Sequence, residues 1–133
     1  MTPERVARAF VAAVNSHQID ALSELMTDDH VFVDSDGSRK AGRQSVCEAW
    51  AGYLSMVPDY RIFIDETLVR NDTVVILGRA QGAFSREGAV TPETHWSVPV
   101  AWRVKVDGDR VSLWQLYVNP EVMRRALEQI GSS

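Results

Sequence analysis

The stretch FVAAVNSHQIDALSELMTDDHVFVDSDG, Phe10 to Gly37, decides the fold. It predicts a helix reaching Val14, a short polar break, a second helix from about Asp20, and a strand from His30 to Asp34. That strand carries one carboxylate, Asp34, among apolar neighbours. An acid at the end of a core strand costs free energy unless it is solvated, paired or used. The order of elements points to an architecture, and Asp34 to a candidate site.

Working outward, Thr2 is placed to cap the first helix and Pro3 to open it. Val6, Ala9, Phe10, Ala13 and Val14 follow the spacing of one buried helical face. Asp20 can cap the second helix, whose buried side is Leu22, Leu25 and Met26. Alternation along the strand puts His30, Phe32 and Asp34 on one face. Ser35 to Ser38 reads as a turn. A third helix is expected from near Gly42 to about Val57, with Val46, Trp50, Tyr53, Leu54 and Val57 on one face and Pro58 as its stop.

The chain then changes character. Tyr60 to Val69, Thr73 to Phe84, Thr94 to Val106 and Arg110 to Val118 are rich in Val, Ile, Trp and Phe and read as strands. Asn71-Asp72 and Asp107-Gly108-Asp109 are hairpin turns, and Ser85 to Pro92 is a longer loop expected to be mobile. Asn119 and Pro120 open a last helix to about Ile130, with Val122, Ala126, Leu127 and Ile130 inward. Helices first and a run of strands after imply an α+β fold, in which helices cover one face of a curved antiparallel sheet. Pro99 inside a strand marks either a bulge or an edge.

The chain has 133 residues, 45% apolar and 24% charged, so one domain spanning 1–133 can bury a real core. A net charge of −4 without a basic stripe argues against a nucleic-acid partner. No apolar run is long enough for a membrane span, and Thr2 to Arg8 has charges where a signal peptide needs an apolar core. No membrane partner is expected, and the expected location is cytoplasmic. Cys47 is the one cysteine, which excludes an intrachain disulfide and fits a reducing compartment. The sequence holds no His-x-x-x-His, no Cys-x-x-Cys and no glycine-rich phosphate loop, so no metal or cofactor is implied.

Asp34 has two readings. It can cap the turn Asp34-Ser35-Asp36-Gly37, or act as a base in a half-apolar pocket. His95 is a candidate acid or base beside Trp96. Strict alternation points it away from the core, and a bulge at Pro99 would reverse that. His30 shares Asp34's face, but a strand-end histidine is more often a surface or satisfied core group. His17 is expected in solvent. Trp50, Tyr53, Trp102 and Trp114 form either a plain core or the lining of an aromatic cavity.

The order of elements resembles the nuclear transport factor 2-like superfamily, in its ketosteroid isomerase, SnoaL-like polyketide cyclase and limonene epoxide hydrolase branches. The resemblance rests on Phe10-Val11-Ala12-Ala13-Val14-Asn15, Ile19-Asp20-Ala21-Leu22 and Thr27-Asp28-Asp29-His30-Val31. It continues in Asp107-Gly108-Asp109-Arg110-Val111 and Trp114-Gln115-Leu116-Tyr117-Val118-Asn119. It implies a cone: a strongly curved antiparallel sheet around a long helix, with a pocket between them and homodimers through the outer sheet face. On that resemblance, Phe10, Phe32, Trp50, Tyr53, Trp102, Trp114 and Leu116 line a pocket for a small apolar or aromatic molecule.

The resemblance carries catalytic positions unevenly. Asp34 matches the general-base aspartate of ketosteroid isomerases. The position of their oxyanion-hole tyrosine is Phe10, and that of the second donor is Ala101 or Trp102. The epoxide hydrolase aspartate falls at Leu116, and its Arg-x-Asp near Val98-Pro99-Val100. Both familiar sets are incomplete. The expectation is a cofactor-independent isomerase, cyclase, dehydratase or hydrolase using Asp34, with His95 as a second candidate. The alternatives are a non-catalytic ligand-binding domain or a protein-interaction dimer.

Overall fold

The computed structural model describes residues 1–86 and 89–131. Helix α1 (Pro3–Ser16) leads to α2 (Ile19–Glu24), β1 (Met26–Val33), β2 (Arg39–Ala41) and α3 (Arg43–Met56). Strands β3 (Arg61–Arg70), β4 (Thr73–Arg86), β5 (Ala89–Asp107) and β6 (Arg110–Tyr117) follow, and α4 (Glu121–Gly131) ends the chain. The expected α+β order is found.

The Thr2 hydroxyl accepts the Arg5 N–H at 3.2 Å, and Pro3 opens α1 where a missing N–H costs nothing. α1 ends at His17, in the left-handed region at φ 58°. The His17 ring is half-buried, contrary to expectation: its Nε2–H donates to the Tyr60 carbonyl at 2.8 Å. Helix α2 is capped at Gln18 without a side-chain bond, and Asp20 lies in its first turn rather than at the cap.

The six strands form one sheet in the order β2-β1-β6-β5-β4-β3. All neighbours are antiparallel except β1 and β6. Those two start side by side, where the Val111 N–H donates to the Leu25 carbonyl at 2.7 Å, and so run the same way. β1 begins earlier than expected and β2 was not expected at all. Lys40 and Arg39 of β2 are held by pairing with Phe32 and Val33 of β1. The expected loop from Ser85 is mostly strand, since Ser85 pairs with Val90 and Arg86 with Ala89; residues 87–88 lie outside the described ones.

Pro99 pairs with Arg79, but the β6 ladder starts only at Ala101 opposite Tyr117. Pro99 therefore sits at a local edge, where its missing donor is tolerated. No bulge occurs there, and Trp96, Val98, Val100, Trp102, Val104 and Val106 all face inward.

Register shifts between Ile64 and Glu66, Ala83 and Ser85, and Lys105 and Val106 help to curl the sheet. Gly78 permits the tightest approach: a Cβ there would lie 1.9 Å from the Phe63 carbonyl oxygen. Helix α1 packs in the concavity against β3, β4, β5 and β6. Val6, Phe10 and Val14 are fully buried there, each side chain contributing roughly 1.5–3 kcal/mol. Helix α4 lies on β5 and β4 and turns Met123 and Ala126 inward. Val122 and Leu127 are exposed instead, and the side chain of Ile130 lies outside the described residues.

Candidate functional site

Ten rings form one connected network inside the cone. Phe10, from α1, is its hub: it tilts onto Trp114 at 4.7 Å, stacks on His30 at 5.9 Å and meets Trp50 edge-on at 6.5 Å. Trp50 also touches Phe32, Tyr53 and Tyr60. Tyr60 continues to Trp96, and Trp114 to Trp102 at 6.0 Å. Helical spacing in α3 supplies Trp50 and Tyr53 from adjacent turns, and strand alternation supplies Trp96 and Trp102.

Four buried polar atoms in or beside this network have no hydrogen-bond partner: Trp50 Nε1, Trp96 Nε1, His30 Nε2 and Thr27 Oγ1. An orphaned buried donor or acceptor costs roughly 1–3 kcal/mol. Burial pushes the Tyr53 phenol well above its ordinary range, and the charge of Asp34 adds to it. Tyr60 is pushed up the same way, by burial first and Tyr53 second. Both phenols are therefore held protonated as hydrogen-bond donors.

The side chains expected to line a pocket pack into the core. Phe10, Trp50, Trp102 and Trp114 are buried, while Phe32, Tyr53 and Leu116 are half-buried against them. The two acid–base candidates do not join them. Asp34 lies just past β1, exposed to solvent. Its Oδ1 accepts the Ser35 N–H at 2.7 Å, and its backbone bonds Ser38 and Gly37. It is a turn residue whose charge reaches Tyr53 at the rim. His95 is exposed on the outer face opposite Ala83, because alternation persists through Pro99. It does not enter the aromatic interior. His30, by contrast, is fully buried. The sequence signal for it was its place on the inner face with Phe32. Among the described residues, no group of three or more His, Cys, Asp or Glu side chains is placed to hold a metal ion.

Residues 7–114 match the model of the SnoaL-like domain. The chain belongs to the SnoaL-like domain family. Among curated proteins none matches the sequence. In structure, this SnoaL-like domain is similar to a protein from Catenulispora acidiphila DSM 44928 with a ketosteroid isomerase-like fold, solved with trimethylamine. The identity is 25% and the TM-score 0.78, over 95% of this chain and 94% of that one. It is also similar to a protein designated a SnoaL-like polyketide cyclase from Shewanella denitrificans OS-217, at 17% identity and TM-score 0.82 over 96% and 97%. A third relative is an LEH-like epoxide hydrolase from M. tuberculosis, at 20% identity and TM-score 0.77 over 96% and 89%. The expected nuclear transport factor 2-like architecture is thereby established.

Within this SnoaL-like domain, the ring at the centre of the cone is Phe10, which has no hydroxyl to offer an oxyanion. Among the described residues, the unpartnered buried donors of the ring network are Trp50 Nε1 and Trp96 Nε1.

Proposed function

We propose that this SnoaL-like protein takes up a small apolar or aromatic molecule in its aromatic interior and moves a proton on it without a cofactor. The reaction class is isomerisation, cyclisation, dehydration or hydrolysis. The observation that carries the uptake is the set of buried, unpartnered Trp50 and Trp96 N–H groups among contacting rings. A polar atom of a guest would satisfy them, and its apolar body would replace ring contacts. Tyr53 is half-buried within reach of the Asp34 charge, at the solvent side of the ring network. The trimethylamine complex of the Catenulispora protein supports small-molecule binding on this fold.

Asp34 is the acid–base group of this reading, acting at the rim beside Tyr53. Its Oδ1 is held by Ser35, which orients the carboxylate. A second reading, binding without turnover, is favoured by the phenylalanine at position 10 and by Asp34's exposure. A thermal-shift screen of small aromatic and apolar compounds, followed by analysis of the recovered compound, separates the two. Binders recovered changed support catalysis, binders recovered unchanged leave binding alone, and the absence of any binder defeats both.

The protein's other partner in this proposal is a second copy of itself. Leu77, Ala101 and Tyr117 form one row across the outer sheet face, and Leu68 and Val75 extend it. Leu68 and Tyr117 are each 52% exposed.

A further inference from the structure

His30 is the one histidine in the core, and half of its imidazole is explained. β1 and β6 lose register between Met26 and Val31. His30 lies within that break, and its Nδ1 meets the Val111 carbonyl at 2.6 Å. A carbonyl only accepts, so Nδ1 carries the proton and Nε2 is left with a bare lone pair. Nε2 sits at the ring tip away from the backbone, is fully buried, and has no partner. The ring lies at 18° to Phe10, the hub of the aromatic network.

We propose that His30 Nε2 is the hydrogen-bond acceptor of the aromatic interior, taking the O–H of a neutral phenol- or enol-type ligand. This rests on the ligand-binding reading above and narrows it to a substrate class. Two facts shape that class. Among the described residues the only buried polar or charged side chains are His30 and Thr94, so no buried cation is present to neutralise an anionic guest. Of the remaining orphans, Trp50 Nε1 and Trp96 Nε1 are donors on the ring network, and Thr27 Oγ1 lies outside it on β1. The complementary ligand is flat and uncharged. It offers an O–H at the His30 end and an oxygen acceptor toward the tryptophans.

The test uses 2-naphthol and 2-methoxynaphthalene, which share a ring system but differ in the O–H. Binding is read by tryptophan fluorescence, and the histidine nitrogens are followed by ¹⁵N NMR, assigned with His30→Asn. Asn can keep the donor to Val111 while losing the distal acceptor; His30→Gln restores an amide oxygen near the ring tip. The expected results are a bare Nε2 in the free protein, an Nε2 resonance that moves on 2-naphthol binding, and 2-naphthol bound about ten-fold tighter than the ether. That preference disappears in His30→Asn and partly returns in His30→Gln. Equal binding of the two probes to the wild type, a preference kept in His30→Asn, or an Nε2-protonated tautomer in the free protein would each overturn the proposal, leaving His30 as a strand-patching residue. If neither probe binds, the ligand-binding reading falls and takes this one with it. The NMR and wild-type measurements stand even where a variant fails to fold.

Discussion

Asn15 and Ile62 are joined by two hydrogen bonds that tie α1 to the first long strand. The Asn15 amide oxygen accepts the Ile62 N–H at 2.8 Å, and its Nδ2–H donates to the Ile62 carbonyl at 3.0 Å. The side chain thus stands in for a neighbouring strand at that point. Asn15→Ala leaves a partly buried N–H and C=O without partners, so a loss of about 2 kcal/mol is expected. Urea denaturation measures it. A change below about 0.5 kcal/mol, the range of an ordinary surface substitution, would mean that water replaces the clamp.

Gly78 tests the curl of the sheet. A Cβ at this position would overlap the backbone of Phe63, which cannot move like a flexible side chain. Gly78→Ala is expected to cost about 3 kcal/mol or more, or to abolish soluble expression. Gly52→Ala is the control, because nothing lies within 4 Å of a Cβ there and the site is helical. That control should be neutral or stabilising by up to about 1 kcal/mol. Equal melting temperatures for the two variants would contradict the close approach of β3 to β4.

The helical face of α1 was legible because five apolar residues repeat at one period, and the outward direction of His95 because six inward residues alternate around Pro99. β1's early residues and β2 were not legible. Thr27-Asp28-Asp29 and Arg39-Lys40 lack any apolar pattern; β2 is a strand through its hairpin with β1, and β1 starts early because Met26 pairs with Val111 far along the chain. The apolar character of Val122 and Leu127 points them inward, yet both are exposed on α4. At the site, ring positions followed from periodicity, but polar satisfaction did not. His30 and Val111 are 81 residues apart, and no local pattern reveals that bond. The turn formers beside Asp34 make legible the bond that its carboxylate accepts from the Ser35 N–H.

Burial makes His30 a pH sensor of stability. Desolvation holds its pKa below the ordinary histidine value of 6.5, outweighing the Val111 hydrogen bond and the charge of Asp29, which raise it. Above pH 6.5 both folded and unfolded chains carry a neutral ring. Below it, the unfolded chain takes up a proton that the folded chain resists. Stability is therefore full above the unfolded value, falls as the pH drops from there toward the depressed folded one by up to about 1.4 kcal/mol per unit, and levels off below it. Chemical denaturation between pH 7.5 and about pH 5 should show this slope, and His30→Asn should flatten it. An unchanged slope in the variant would assign the acid sensitivity to carboxylates instead.

The apolar row on the outer sheet predicts self-association. Tyr117→Glu and Leu77→Arg place charges where two copies would meet, while touching nothing in the core. The expectation is a dimer for the wild type and a monomer for the double variant by sedimentation velocity at micromolar concentration. The fold should change by no more than about 0.5 kcal/mol. A monomeric wild type would remove the outer face as an interface.

Asp34 and Tyr53 decide whether the site does chemistry. Asp34 is exposed and its turn tolerates asparagine, so Asp34→Asn should leave the melting temperature unchanged. Its effect on the Tyr53 phenol is electrostatic: removing the charge lets the phenol titrate at lower pH, though still above its ordinary range because burial is the larger cause. A spectrophotometric alkaline titration checks that shift. With a substrate found by screening, Asp34→Asn should lower kcat by roughly 10²–10⁴-fold if the carboxylate carries the proton. Tyr53→Phe should act mainly on KM if the phenol only orients the guest, since losing uniform binding leaves kcat intact. Turnover unaffected by Asp34→Asn would confine Asp34 to its turn and move the search for the base to the buried imidazole behind Phe10.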